Sequence, residues 1–135
     1  MNQNEYHRQV CRIAGEDGRY EPAAFAFVQH AVQYAATEIS RSTREDHIRG
    51  QDLLLGIRDL AVRQFGPMTK PLLSEWGIHE SIDFGHIVFL LVQHKLLRAS
   101  KQDSLDDFAD GLDFHEAFVK DFEPEGKVVE LPTIA

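Results

Sequence analysis

A chain of 135 residues, 43% hydrophobic and 27% charged, has the make-up of one soluble globular domain, long enough for a single core. Its formal charge of −8 sits in the last quarter: residues 1–102 carry 12 acidic and 12 basic side chains, residues 103–135 carry 10 and 2. Neither part has the lysine and arginine surplus that binds phosphate backbones, so nucleic acid is disfavoured as a partner. The longest apolar run, "IVFLLV", is far too short to span a membrane. The start shows no export signal, and the one cysteine, Cys11, has no second thiol to pair with. These features lead us to expect a cytoplasmic protein.

The spacing of Tyr6, Val10 and Ile13 predicts a first short helix, ended by the loop "GEDGR". "YEPAAFAFVQHAVQYAATEIS" follows, with Pro22 at a helix start and Ala24, Val28, Ala31, Val32, Ala35 and Ile39 along one face. Phe25 and Phe27 widen that face, and Gln29, Gln33 and Glu38 are assigned to water. "SRSTRED", residues 40–46, reads as a loop.

"HIRGQDLLLGIRDLAVRQFGP" is an amphipathic helix with Leu54, Ile57, Ala61 and Phe65 in its stripe, stopped by Gly66 and Pro67. Gly56 costs this helix about 1 kcal/mol relative to alanine, and close approach by a neighbouring helix is the simplest compensation. "MTKPLLSEWG" is a shorter helix closed by Gly77. Ser81 is then the expected N-cap of "IDFGHIVFLLVQHKLL", which is apolar nearly all round and belongs at the centre of a core.

"LLRASKQDS" suits a strand and turn, a short hairpin near residues 96–104. Asp113-x-x-Glu116 has the form of a capping box opening a last short helix. Phe108, Phe114, Phe118 and Phe122 would anchor this acidic segment on the bundle. From residue 123 onward the chain has too little apolar content to pack and is expected to be a mobile tail. The fold expected is an all-α bundle of four to six helices. One domain spans 1–122, with 20–95 as core bundle and 103–122 packed on it.

Seven histidines raise the question of a metal. His79, Asp83 and His86 have helical spacing, but His79 falls before the helix start and His94 lies too far from His86. "DDFADGLDFHEA" fails a calcium loop at its third and twelfth positions, Phe108 and Ala117. No phosphate loop, nucleophile elbow or zinc-protease motif occurs. The reading is therefore non-catalytic, with no metal and no cofactor. Arg49, Gln51 and Arg58, set between the leucines, and Trp76, at the end of the next helix, are the candidate contacts for a protein partner. The alternative is a nucleic-acid-binding regulator using the helix-turn-helix-like run 48–76, with Arg49, Arg58, Arg63 and Lys70 on phosphates.

"HIRGQDLLLGIRDLAVRQFGPM", "LLSEWGI", "DFGHIVFLLV" and "DFADGLDFHEAF" together resemble an uncharacterised family found mainly in planctomycete and verrucomicrobial bacteria. That resemblance implies no activity. His86 stands where an acid is expected and Leu112 where an aromatic is more typical. More distantly, "HIRGQDLLLGI" is similar to the central helix of the Clp chaperone amino-terminal repeat. Ile48, Leu53, Leu54, Leu55, Gly56 and Ile57 match, Gln51 stands for the acid and Asp52 for the usual histidine. The likeness implies a helical repeat of the kind that presents adaptors or substrates.

Overall fold

The structure, a computed structural model, describes residues 2–43, 50–97 and 112–122. Arg49, Phe108, the expected tail from 123 and most of the expected hairpin lie outside the described residues. Every regular element among them is helical: α1 (Gln3–Asp17), α2 (Pro22–Thr43), α3 (Gly50–Phe65), α4 (Thr69–Glu75), α5 (Ser81–Gln93) and α6 (Phe114–Phe118). Short 3₁₀ turns, Gly66–Met68 and Lys120–Phe122, follow α3 and α6. The protein is an all-α bundle.

Local chemistry fixes most of the helix ends. The Asn2 side chain accepts from the Glu5 amide at 2.8 Å and opens α1. That helix runs through Gly15 to Asp17, longer than expected, and Gly18 closes it at φ 80°. In the same way α2 continues through residues 40–43, which the sequence reading gave to a loop. Polar residues there do not stop the helix, because Ser, Thr and Arg in a helix lose only tenths of a kcal/mol relative to alanine.

Helix α4 ends in a Schellman closure. The Ile78 amide donates to the Leu73 carbonyl at 2.8 Å, the Gly77 amide to Ser74 at 3.0 Å, and Gly77 takes φ 93°. Leu73 and Ile78, the pair such a closure brings together, are both buried. The start of α5 corrects the sequence reading by one residue. Glu80 is the N-cap, and Ser81 is a buried first helical residue. The acid at the third helical position wins, because the Asp83 carboxylate reaches back to the amides of His79 and Glu80 at 2.9 and 3.0 Å. At α6 the expected cap is found: Asp113 accepts from the amides of His115 and Glu116 at 2.9 and 3.2 Å.

The core forms where α2, α3 and α5 meet. Phe25, Leu54, Ile57, Phe84, Ile87 and Leu91 are all fully enclosed. Each such side chain contributes roughly 1.5–3 kcal/mol on leaving water. α2 and α3 form the most extensive helix pair. α6 docks on this core, with the Phe114 ring 5.8 Å from Phe84 and 5.0 Å from Phe118, and both α6 phenylalanines are buried.

Candidate binding groove

Two polar regions join elements that are far apart in sequence, and they differ in what their side chains still have to offer. The first ties the α1–α2 turn to α5. The Tyr20 hydroxyl donates to Asp83 Oδ1 at 2.6 Å and lies 3.0 Å from His86 Nδ1. Arg19 pairs with Asp17 at 2.9 Å and places Nη1 3.3 Å from the same His86 nitrogen. Tyr20 has one hydroxyl proton, and Asp83 takes it, so His86 Nδ1 can bond Tyr20 only by donating. The guanidinium has only donors, so Nδ1 can bond Arg19 only by accepting. His86 serves one of them at a time.

The electrostatics follow from this packing. Burial, reinforced by the hydrogen bond to Asp83, pushes the Tyr20 hydroxyl well above its ordinary pKa. Burial also works to raise Asp83, but the Tyr20 hydroxyl and the amides of His79 and Glu80 outweigh it, and the carboxyl lies below its ordinary value. The Arg19 hydrogen bond lowers Asp17 likewise. Four of the five residues here spend their polar groups on one another, and the fifth, His86, is held between two of them. The cluster reads as a clamp. His79, Asp83 and His86 hold no metal-ligand grouping, and none of three or more ligands occurs among the described residues.

The second region is a groove of about 550 Å³, open to solvent, where α1, α2 and the turn after α5 converge. Its size falls in the ~300–1,000 Å³ range of ligand-holding clefts. Tyr6 and Gln29 form its floor. The Tyr6 hydroxyl donates to Gln29 Oε1 at 2.5 Å, and Gln29 Nε2 donates to the Leu96 carbonyl at 3.0 Å. Gln29 was expected to face water; it is half-buried because α1 and the α5 turn cover that side of α2. Burial raises the Tyr6 hydroxyl above its ordinary pKa.

The groove rim is different. Gln33, His30 and Lys95 line it, are exposed, and have no side-chain hydrogen-bond or ion-pair partner among the described residues. Lys95 also has an unusual backbone. The α5 helix ends in a second Schellman closure, with Leu96 donating to Leu91 at 2.8 Å and Lys95 to Val92 at 3.0 Å. The left-handed place in that closure, φ 63°, is held by Lys95 where glycine is usual. A side chain there costs roughly 1–2 kcal/mol.

The sequence-derived contact residues do not gather in this groove. Gln51 is the second residue of α3, with its side chain outside the described set, and Arg58 is half-buried two turns further along. Trp76 caps the end of α4 and is half-buried, its ring 5.7 Å from Phe27 and 5.8 Å from Phe65. Of the cations considered for phosphate contact, Arg63 is paired with Asp59 at 3.2 Å. Leu96 and Leu97, the described part of the expected hairpin, form a bend after α5. The groove residues left no mark in the sequence, because glutamine, histidine and lysine on a solvent face are what any amphipathic helix shows. No family model, curated protein or solved structure matches the chain.

Proposed function

We propose that the protein is a non-catalytic interaction module of the cytoplasm, and that it holds a segment of a protein partner in the groove between α1, α2 and the α5 turn. The observation that carries this reading is the contrast between the two polar regions. The clamp spends its groups on the fold, whereas the groove turns Gln33, His30 and Lys95 outward with no partner among the described residues. Amide side chains both donate and accept, which suits them to the main chain of an extended peptide. An open groove with polar walls and a half-buried Tyr6–Gln29 floor fits a peptide better than a small apolar ligand.

Filling the groove tests the reading. Ala26 lines it from an exposed position on α2, so Ala26→Trp occupies the space without touching the core. The wild-type protein should capture a protein from native lysate, and the variant, melting at the wild-type temperature, should lose it. A partner retained by Ala26→Trp sinks this reading. DNA binding that falls steeply with salt would put the nucleic-acid regulator in its place.

A further inference from the structure

We infer that the groove selects a partner segment bearing a carboxylate and that Lys95 is the residue that reads it; this inference rests on the peptide-binding reading above. The chain carries a formal charge of −8, yet no acidic side chain is found among the described residues that line the groove. Among the described residues, Lys95 is the one that lines the groove with a permanently charged side chain, and it has no carboxylate partner there. On a protein partner the complementary group is the carboxylate of an aspartate, a glutamate or a chain terminus.

The backbone strengthens the assignment. The closure after α5 is made by main-chain hydrogen bonds, Leu96 to Leu91 and Lys95 to Val92, which glycine would make without strain. Nothing in the turn asks for a lysine, and its left-handed backbone, φ 63°, opposes one. The turn is also held in place. Gln29 Nε2 binds the Leu96 carbonyl at 3.0 Å, and Gln9 Nε2 approaches that of His94 at 3.4 Å. The ammonium therefore extends from a fixed point on the rim. His30 on α2 supplies a second donor to the same space.

A displayed library of random heptapeptides, selected on the full-length protein, tests this. Each enriched peptide is then measured on Lys95→Gly, which relieves the left-handed backbone, on Lys95→Asn, which tolerates it while remaining polar, and on Ala26→Trp. Thermal melts verify that each variant is folded. We expect enriched peptides to share an aspartate or glutamate at one position. Replacing it by the matching amide should weaken binding to the wild type by about tenfold or more and leave binding to Lys95→Gly unchanged. Peptides without an acid, or indifferent to both Lys95 variants, yet lost on Ala26→Trp, would overturn carboxylate selection and leave the groove reading standing. Peptides indifferent to Ala26→Trp, or no enrichment at all, would overturn both.

Discussion

Gly56 in α3 lies against Ala35 in α2 so closely that a methyl group built on it would overlap the Ala35 methyl and come within 3.0 Å of its α-carbon. The contact sits in the most extensive helix pair of the bundle. Two small residues facing each other let the helix backbones approach, and the larger stripe residues on either side, Leu53, Leu54, Ile57 and Leu60, are buried by it. The helix-propensity loss at Gly56, about 1 kcal/mol, is offset by that burial.

Gly56→Ala should therefore destabilise the protein although alanine is the better helix former. Overpacking of this kind costs roughly 1–3 kcal/mol, against a propensity gain of about 1 kcal/mol. Urea unfolding should show a lower midpoint at an unchanged slope. Adding Ala35→Gly removes the methyl it strikes, so the double variant should recover part of the loss. A single variant as stable as the wild type would mean that the helices separate freely there.

Tyr20→Phe tests the clamp. The substitution removes one donor from a carboxylate that has only partial access to water, and hydrogen bonds to charged groups contribute roughly 1.5–3 kcal/mol. Water reaching the 18% exposed Asp83 side chain should hold the loss to about 1–2 kcal/mol. The pH dependence has a definite sign. The folded-state pKa of Asp83 is lowered, so its contribution is present above the unfolded value of about 3.9 and lost as pH falls through the folded one. Tyr20→Phe should thus cost most near neutral pH and converge with the wild type in strong acid. The opposite trend would show that the Tyr20 hydroxyl does not act through the ionised Asp83 carboxylate.

How much of this was legible in the sequence depends on the range of the interaction. Local chemistry was readable: the glycine closure after Trp76, the Asp113 cap and the stripe along α3 each depend on residues within a few positions. Even the close approach at Gly56 was, because an interior glycine in a strong helix asks for a neighbour. The clamp was not, since Tyr20 is 63 residues from Asp83 and 66 from His86. Helical spacing raised a metal question about Asp83 and His86, whereas tertiary packing gave them a tyrosine. Gln29 was placed in water for a similar reason: periodicity reports which face of α2 meets α3, and is silent about α1 covering another. The left-handed backbone at Lys95 leaves no trace either, as lysine near a helix end is ordinary.

Gly77→Ala should be more damaging than an exposed substitution. Its φ of 93° is strained for any side chain, and a β-carbon would run into the Arg19 carbonyl oxygen. Beside it the Glu21 amide donates to the Trp76 carbonyl at 3.1 Å, so the turn after α4 is locked to the start of α2. The strain alone is roughly 1–2 kcal/mol, and the backbone clash adds to it. A thermal midpoint lower by several degrees is expected, with Tyr20 fluorescence altered because Arg19 and Tyr20 adjoin the clash. Gly18→Ala is the control, since its φ of 80° meets open space. It should lose only the strain, and equal losses would show that the Arg19 contact is unimportant.

The docking of α6 decides what the acidic end of the chain contributes. Phe118 is 1% exposed, and the Phe114 ring packs between it, edge-on, and Phe84, tilted, so α6 closes one side of the core. A helix of five residues cannot persist alone. Its stability comes from these two rings and the Asp113 cap. Phe118→Ala removes a buried ring at a cost of roughly 3–5 kcal/mol if the segment stays docked. If undocking is cheaper, the loss stops at the docking free energy, and α6 detaches as a unit. Hydrogen exchange separates the two outcomes. Detachment should raise exchange at the Ala117 and Val119 amides, which bond to Asp113 and His115 at 2.8 and 3.0 Å, well above exchange in α3. Truncation after residue 97 should then reproduce the Phe118→Ala midpoint and expose Phe84 to an apolar dye. If the truncated protein melts like the wild type, α6 adds nothing to the bundle. Phe114 and Phe118 would then have to be buried for some purpose other than stability.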